Sequence, residues 1–433
     1  MESDTTTDLV PAGSPAELAI RIRVSASHVG TEHRPPLDLV LLLDTSGSME
    51  GKSIEALRGA AHELIEKMSP HDHLAIVTFD STAQVVIPST ELTKDARVAA
   101  LDAVDHLRAR GTTDMANGLA LALQQVAQGR VAGSIDRIVL LGDGVPNDPA
   151  PLPSLVDAAK GARISITTLG LGIDFDDVML GKIAMETGGV YRFVDKPEAV
   201  ADVFDHELTR MQTVVGRNLY LQIQPGPGVT IDDMPGLTSS GAARYAMLGD
   251  LASGETRDVI VPVHVTGHHD GATVELVDAV LTFDDAAGGS GTQRRDAFAS
   301  AKASGDPDAV KSAVKAEIDL ARARARAASA ILQAIALARG GSIDPAKALL
   351  DTAEADAKKE ADRFEDPELR ELIDQIVQVR AHLRDLVQQQ IVGGAGGADP
   401  AKMPAPEPAT ASPATELILR DAHQKAQRVL DQR

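Results

Sequence analysis

An acid and two hydroxyl side chains follow the first long apolar run of the sequence. The segment LDLVLLLDTSGSM places Asp44, Ser46 and Ser48 directly after that run, at alternate positions. Carboxylate and hydroxyl oxygens are the ligands that hard divalent cations prefer, whereas zinc sites use histidine or cysteine. The spacing therefore indicates a candidate cation site, with ordinary helix capping by polar turn residues as the alternative interpretation.

Two later segments carry the same kinds of side chain. RGTTDMANGL places Thr113 and Asp114 just before a predicted helix, and IVLLGDGVPND places Asp143 at the end of a predicted central strand. In doubly wound folds, ligands bind outside the carboxyl ends of the strands. We therefore expect these side chains to lie near Asp44 at one edge of a sheet, in a site suited to Mg²⁺ or Mn²⁺.

The elements that would position these residues alternate between strand and helix. Buried apolar strands and amphipathic helices follow one another over residues 37–212, which predicts an α/β domain with a doubly wound, mostly parallel sheet. Strands are expected at 37–43, 74–79, 83–87, 137–141, 164–169 and 190–193. Helices are expected at about 53–68, 94–107, 115–128, 151–162, 175–187 and 197–212.

Short alternating strands surround this domain. Residues 213–300 are broken repeatedly by Gly, Pro and Asp, which predicts an antiparallel β-sandwich. Residues 16–29 alternate in the same way, so the N-terminal segment 1–36 is expected to supply a strand to the later sheet. The α/β domain would then be inserted into the sandwich.

The last third of the sequence is rich in alanine and helical in pattern. Apolar residues at steps of three and four over 306–392 predict an α-helical bundle, with Asp344 as the N-cap of its middle helix. The composition of residues 393–415 predicts a flexible linker. Residues 416–433 predict a short amphipathic helix that either docks back on the chain or binds a partner.

Composition excludes several classes of function. The 433 residues include 63 acids and 42 bases, a formal charge of −21, which disfavours nucleic acid and anionic membranes as partners. Cysteine is absent, so neither disulfides nor thiolate zinc sites are expected. No apolar run approaches the roughly 20 residues of a membrane span, and the N-terminal residues lack the features of a secretory signal. A cytoplasmic protein without membrane insertion is expected.

At its polar segments the chain resembles the von Willebrand factor type A (VWA) domain. The metal-ion-dependent adhesion site of that family is written D-x-S-x-S, then Thr, then Asp. Its first part matches DTSGS at residues 44–48, its second part matches Thr113, and its third part matches Asp143. The resemblance covers roughly residues 37–212, and the flanking strands look like those of larger bacterial members.

The resemblance implies a role for each matched position. The hydroxyls of Ser46, Ser48 and Thr113 would bind the metal directly. Asp44 and Asp143 would hold it mainly through waters. The metal would be Mg²⁺, with Mn²⁺ or Ca²⁺ as alternatives, and an octahedral ion would keep one position open for an Asp or Glu of a partner protein.

Two positions depart from the family pattern and one acid has two interpretations. Thr112 stands where many relatives have a second Gly, and Gly142 precedes Asp143 where Thr or Ser is frequent. We assign the metal-facing role to Thr113 because GTTDM then overlays the pattern of the family. Asp114 is either an acid behind the metal ligands or a helix N-terminal acid favoured by the helix dipole.

Three classes of function follow from these features. The first is a metal-dependent adaptor or scaffold without enzymatic activity, for which the family resemblance suggests AAA-type ATPases or kinases as partners. The second is a structural subunit of a bacterial assembly that docks through its C-terminal helix. The third is a Mg²⁺-dependent hydrolase, which is disfavoured because the sequence contains no P-loop and no general base clearly placed beside the predicted metal.

Overall fold

The computed structural model describes residues 1–28, 35–131, 133–383 and 412–431. It combines an α/β domain, an antiparallel β-sandwich and an α-helical bundle. This architecture confirms the fold class that the hydrophobic patterns predict.

The strands and helices of the described residues are numbered in chain order. The strands are β1 (Glu2–Thr5), β2 (Leu9–Pro11), β3 (Ala16–Ser25), β4 (Leu37–Asp44), β5 (His73–Phe79), β6 (Ala83–Glu91), β7 (Ile135–Gly142), β8 (Ser165–Leu171), β9 (Tyr191–Val194), β10 (Val214–Pro225), β11 (Val229–Ile231), β12 (Thr238–Ser240), β13 (Ala243–Ala252), β14 (Thr256–Val265), β15 (Thr273–Asp285) and β16 (Gly291–Ser304). The helices are α1 (Lys52–Lys67), α2 (Lys94–Asp105), α3 (Met115–Gly129), α4 (Leu152–Ala162), α5 (Asp177–Thr187), α6 (Val200–Gln212), α7 (Pro307–Ser312), α8 (Ala316–Arg339), α9 (Ile343–Phe364), α10 (Pro367–His382) and α11 (Pro413–Asp431).

The α/β domain is built on one six-stranded sheet in the order β6-β5-β4-β7-β8-β9. Neighbouring strands are parallel except for β6, which runs antiparallel to β5 at one edge. All eight residues of β4 are buried, because helices cover both faces of the sheet. The apolar run that precedes Asp44 is therefore a central strand, and its carboxyl end opens at the edge where the polar segments gather.

The sandwich consists of a four-stranded sheet, β1-β3-β14-β11, and a six-stranded sheet, β12-β13-β10-β15-β16-β2. Strand β3 pairs antiparallel with β14 along its whole length, from Ala16 opposite Val265 to Ser25 opposite Thr256. The N-terminal segment also contributes β1 to the first sheet and β2, parallel to β16, to the second. The α/β domain is thus an insertion in the sandwich, as the sequence predicts, although the sequence pattern indicated only one of the three N-terminal strands.

Helices α8, α9 and α10 pack against one another, and α11 packs on α8 and α10 and on α5 and β9 of the α/β domain. Its residues Leu419, Ala422 and Ala426 are buried in the apolar core of the bundle. Of the two behaviours left open for the C-terminal helix, the structure therefore shows docking on the chain itself. None of the helices in the described ranges has the length and apolar character of a membrane span.

Two helix starts in this region differ from those predicted from the sequence, and part of the predicted bundle and linker lies outside the described residues. The N-cap of α9 is Ser342, so the assignment of Asp344 was wrong by two residues. Helix α11 begins at Pro413, three residues before the predicted start at 416. Residues 384–411, which hold the end of the predicted bundle and most of the predicted linker, lie outside the described residues.

Candidate metal centre

Asp44 ends strand β4 and is fully buried. Its Oδ1 accepts a hydrogen bond of 2.8 Å from the backbone N–H of Ser46, which fixes the turn after the strand. Its Oδ2 is buried with no hydrogen-bond partner in the described part of the chain. A buried carboxylate oxygen without a partner carries a large free-energy cost, which a cation or an ordered water would remove.

A chain of short polar contacts leads from this turn to the end of β7. The Oγ atoms of Ser46 and Ser48 are 2.9 Å apart. Ser48 Oγ donates a hydrogen bond of 2.6 Å to Asp143 Oδ1. Ser48 and Asp143 are 95 positions apart in the sequence, and the two serines and Asp143 meet at the carboxyl edge of the sheet.

Thr113 approaches the same place from the loop before α3. It is buried, and its Oγ1 lies 2.7 Å from the position that a Cβ on Gly144 would occupy, so it faces the turn after β7. Its backbone carbonyl accepts a hydrogen bond of 3.0 Å from the N–H of Asn147. Thr112 is exposed, and its hydroxyl bonds to Ser81 at 3.3 Å and to Asn147 at 2.8 Å. The geometry thus favours Thr113 over Thr112 as the side chain that faces the site.

Backbone hydrogen bonds hold two of the site loops together. The N–H of Gly47 donates to the carbonyl of Gly111 at 3.1 Å, and the N–H of Arg110 donates to the carbonyl of Thr45 at 2.8 Å. Gly111 has φ +71°, and a Cβ at this position would collide with the hydroxyl of Ser81. Glycine is therefore required for the loop of Thr113 to approach the DTSGS turn.

Asp114 acts as the N-cap of α3. Its carboxylate accepts hydrogen bonds from the backbone N–H of Asn117 at 3.4 Å and from the side-chain amide of Asn117 at 2.8 Å. The structure therefore shows the helix-capping role that the sequence left open. A second role behind the metal ligands stays a prediction.

Both carboxyl groups of the site have raised pKa values. Burial raises the pKa of Asp44 to about 6, against the opposing effect of its hydrogen bonds with Ser46 and of the backbone N–H groups of Asp143 and Gly144. Burial raises the pKa of Asp143 to about 7, where the charges of Asp44 and Asp174 add to the effect and the hydrogen bond from Ser48 opposes it. Two buried carboxylates in one site repel each other, and a divalent cation would relieve both the repulsion and the desolvation.

The donor set fits a hard divalent cation. Within the described ranges, no group of three or more His, Cys, Asp or Glu side chains stands at metal-binding distance. The candidate centre has instead two carboxylates and three hydroxyls, and one carboxylate oxygen, Oδ2 of Asp44, has no hydrogen-bond partner in the described part of the chain. Oxygen ligands of this kind suit Mg²⁺ and related ions rather than zinc.

Sequence reasoning missed two acids that border the site. Asp174 lies in the loop between β8 and α5, and its charge acts on Asp143. Asp80 follows β5, where its carboxylate binds Arg110 Nε at 2.7 Å and its carbonyl accepts a hydrogen bond from the N–H of Asp114. Both residues follow parallel strands, so their position at the carboxyl ends was the available signal.

A doubly wound sheet with a hydroxyl and carboxylate cluster at its carboxyl edge defines the class of this domain. The family model of the von Willebrand factor type A domain matches residues 38–206. Residues 38–206 therefore form a VWA domain, and the resemblance noted from the sequence is confirmed.

Several known proteins are similar in sequence to part of this chain. An uncharacterized protein of Synechocystis sp. is 28% identical over 293 residues, which cover 64% of this chain and 69% of that protein. An uncharacterized protein of Escherichia coli K12 is 29% identical over 48% of this chain and 37% of its own length. Inter-alpha-trypsin inhibitor heavy chain H4 of Bos taurus is 30% identical over 36% of this chain and 18% of its own length. The chain thus spans little more than a third of the E. coli relative.

Solved structures resemble the chain over nearly its whole length. A von Willebrand factor type A protein from Catenulispora acidiphila has a TM-score of 0.71 at 20% identity and covers 96% of this chain, with 95% of its own length matched. The ArnB paralog VWA2 from Sulfolobus acidocaldarius has a TM-score of 0.58 at 14% identity and covers 99% of this chain and 98% of its own length. At these identities the likeness shows the fold alone.

Proposed function

We propose that the protein is a metal-dependent protein interaction module, which binds a carboxylate of a partner protein through a divalent cation held by the VWA domain. The observation that carries this proposal is the convergence of Ser46, Ser48 and Asp143 beside the buried, unpartnered Oδ2 of Asp44. VWA domains as a family mediate metal-dependent protein interactions, which supports the same conclusion.

The neutral and the charged residues of the site would have different roles in binding the ion. Ser46, Ser48 and Thr113 would supply neutral hydroxyl ligands, and Asp44 and Asp143 would supply the negative charge mainly through waters. A divalent ion with few charged direct ligands stays electron-poor, so it would attract an Asp or Glu side chain of a partner. The chain's own residues would thus hold and orient the ion, and the partner would complete its coordination.

We further propose that the bound ion is Mg²⁺, that the protein has no enzymatic activity and that it is located in the cytoplasm. AAA-type ATPases and kinases are the partner classes that the family resemblance suggests. The alternative of a structural subunit that docks through α11 is less well supported, because the apolar residues of α11 are already buried against α8, α10 and α5.

The proposal is tested by titrating the full-length protein with Mg²⁺ in a calorimeter and by affinity capture from the native host with and without EDTA. We expect the wild type to bind the ion and to capture a partner only when the metal is present. Ser46→Ala should lose both properties, and Ser154→Ala, an exposed serine on α4, should keep them. Equal capture in EDTA would show that another surface binds the partner, and phosphatase and nuclease assays with Mg²⁺ would reveal a hydrolase.

A further inference from the structure

The loop between β8 and α5 forms part of the rim of the candidate metal centre. It follows β8, which pairs in parallel with the strand that carries Asp143 at its end. Gly142, which precedes Asp143, pairs with Gly170 near the end of β8, so the loop after β8 lies beside the turn of Asp143 at the same edge of the sheet. Asp174 in this loop is exposed. The position of this loop therefore determines how close the Asp174 carboxylate lies to the candidate site.

Helix α11 contacts this loop through the buried side chain of Arg420. Arg420 is 2% exposed, and its guanidinium donates a hydrogen bond of 2.7 Å to the carbonyl of Ile173. The same guanidinium lies over the ring of Phe175, 4.1 Å from its centroid. Arg420 thus contacts the residue on each side of Asp174, from a helix that is almost 250 positions later in the sequence.

Arg420 is itself held by two buried acids. Its guanidinium lies 3.3 Å from Asp177 Oδ1 and 3.2 Å from Glu416 Oε2. Arg339 of α8 binds the same two acids, at 3.0 Å and 2.6 Å. Two arginines and two carboxylates form one network in which Arg339 alone is partly exposed, so Arg420 is fixed by α5, α8 and α11 together. Buried ion networks of this kind favour a single arrangement of the packed elements.

Phe175 anchors the loop on the side that faces the sheet. It is buried, and its ring lies so close to Gly170 of β8 that any side chain at this glycine would overlap the ring. The ring is therefore enclosed between the sheet and the guanidinium of Arg420. The loop has little room to move on either side of Asp174 while α11 stays docked.

We infer that Arg420 is a positioning residue for the proposed metal centre, through which the docked C-terminal helix holds the Asp174 carboxylate at the rim of the site. This inference rests on the proposed function, because it concerns the same ion. Asp174 attracts a divalent cation without binding it directly. Release of Arg420 would let the loop spread over several positions and would weaken that attraction.

The size of the effect follows from Coulomb's law. A single carboxylate near a partly solvated divalent ion changes its affinity by roughly 3- to 10-fold. Loss of Arg420 leaves the carboxylate in place but less well positioned, and removal of the positive charge would by itself strengthen the attraction for a cation. We therefore expect a smaller net weakening of about twofold. Because Arg420 acts through Asp174, the effects of the two substitutions should not add.

The test is a double-mutant cycle on the full-length protein, read by Mg²⁺ calorimetry. The variants are Asp174→Asn, Arg420→Gln and the double substitution, with Lys425→Gln as the matched control on α11. Lys425 pairs with Glu371. Its substitution removes the same unit of positive charge from α11, so it tests for a general effect of altering this helix or its charge. Phe175→Leu should also loosen the loop, and it replaces Arg420→Gln in the experiment if that variant does not fold.

A second measurement is independent of the metal. Hydrogen exchange of the amides in residues 172–176 should be faster in Arg420→Gln than in the wild type, and unchanged in Lys425→Gln. This readout separates a loop-positioning role from a merely structural one, because global destabilisation would accelerate exchange throughout the domain.

The expected result is weaker Mg²⁺ binding in both single variants, with the double variant equal to Asp174→Asn within the error of the titration. Unchanged affinity in folded Arg420→Gln, or fully additive effects in the double variant, would overturn the inference while leaving the metal centre intact. Absence of Mg²⁺ binding in the wild type would instead refute the proposed function, and this inference with it.

Discussion

Arg137 of β7 and Asp250 of β13 form a buried ion pair, 2.7 Å long, between the α/β domain and the sandwich. Their side chains are 2% and 5% exposed. The other oxygen of Asp250 accepts a hydrogen bond of 2.9 Å from the backbone N–H of Asn218. Burial lowers the pKa of Arg137, and the charge of Asp250 opposes that effect. The pair is a polar cross-link between the inserted domain and the sandwich that surrounds it.

Removing one partner of this pair should be strongly destabilising. Asp250→Ala would leave Arg137 buried without its counter-ion, and we expect the free energy of unfolding to fall by about 3–5 kcal/mol. Denaturant unfolding followed by circular dichroism measures this change. Asp296→Ala, which removes an exposed pair with Arg294, serves as the control and should leave the midpoint unchanged. A similar midpoint for Asp250→Ala and the wild type would show that the pair contributes little.

The two adjacent threonines of the site should behave differently towards metal. Thr113 is buried and faces the turn of Asp143, whereas Thr112 is exposed and bonds to Ser81 and Asn147. Thr113→Val removes the hydroxyl while leaving the volume of the side chain nearly unchanged. Because the ion would lose one oxygen ligand, we expect Mg²⁺ affinity to fall at least about tenfold. Thr112→Val should bind Mg²⁺ as the wild type does. Calorimetric titration of both variants decides the assignment, and the reverse order would make Thr112 the ligand.

Much of the fold could be predicted because its signals are local. The unbroken apolar run that becomes β4 predicts a buried central strand, and the types and spacing of Asp44, Ser46 and Ser48 predict a site at its end. The N-terminal strand β2 was not predicted, since three residues carry no readable alternation and the pairing with β16 depends on the assembled sandwich.

The contacts of α11 were hidden for a different reason. In the sequence, Asp177 and Arg420 look like solvated residues on helix surfaces, and their burial follows only from pairing across more than 200 positions. The boundary of α9 was misassigned because Asp344 and Pro345 match an N-cap followed by a first-turn proline, although the helix starts one residue before Asp344. Long-range charge pairing and exact helix ends are set by tertiary packing, which overrides local signals.

Stability should depend on pH through Asp38, at the amino end of β4. This side chain is fully buried, and its Oδ2 has no hydrogen-bond partner in the described part of the chain. Burial raises its pKa to about 7, with a further contribution from the charge of Asp136. The folded state therefore keeps a proton that the unfolded state releases near its ordinary pKa of 3.8. The contribution of Asp38 to stability is greatest at low pH and is lost as the pH rises to about 7.

Asp38→Asn removes this dependence because the amide does not ionise. The stability of the variant relative to the wild type should increase by roughly 2 kcal/mol between about pH 5.5 and about pH 8.5. Urea unfolding at the two pH values gives the comparison, and Asp157→Asn, an exposed acid on α4, should show no such increase. A difference that stays constant with pH would mean that Asp38 is ionised in the folded protein throughout this range.

Docking of α11 on α5 should depend on the absence of a side chain at Gly181. A Cβ at this position would lie 2.5 Å from His423 Nε2 and 2.9 Å from Gln427 Oε1. Gln427 also donates a hydrogen bond of 3.2 Å to the carbonyl of Gly181, so the two helices are in direct contact here. Alanine would force α11 away from α5 or force both side chains into other conformations.

Gly181→Ala should therefore destabilise the protein by about 1–3 kcal/mol, the usual cost of overpacking a well-packed contact. Gly59→Ala on α1 is the matched control, because a Cβ at Gly59 meets no atom within 4 Å. Alanine is the better helix former by about 0.5–1 kcal/mol, so the control should be stabilised while Gly181→Ala is not. Unfolding midpoints measure both changes, and hydrogen exchange of α11 should accelerate in Gly181→Ala alone. Stabilisation of both variants to the same extent would show that the contact between α5 and α11 tolerates the added methyl group.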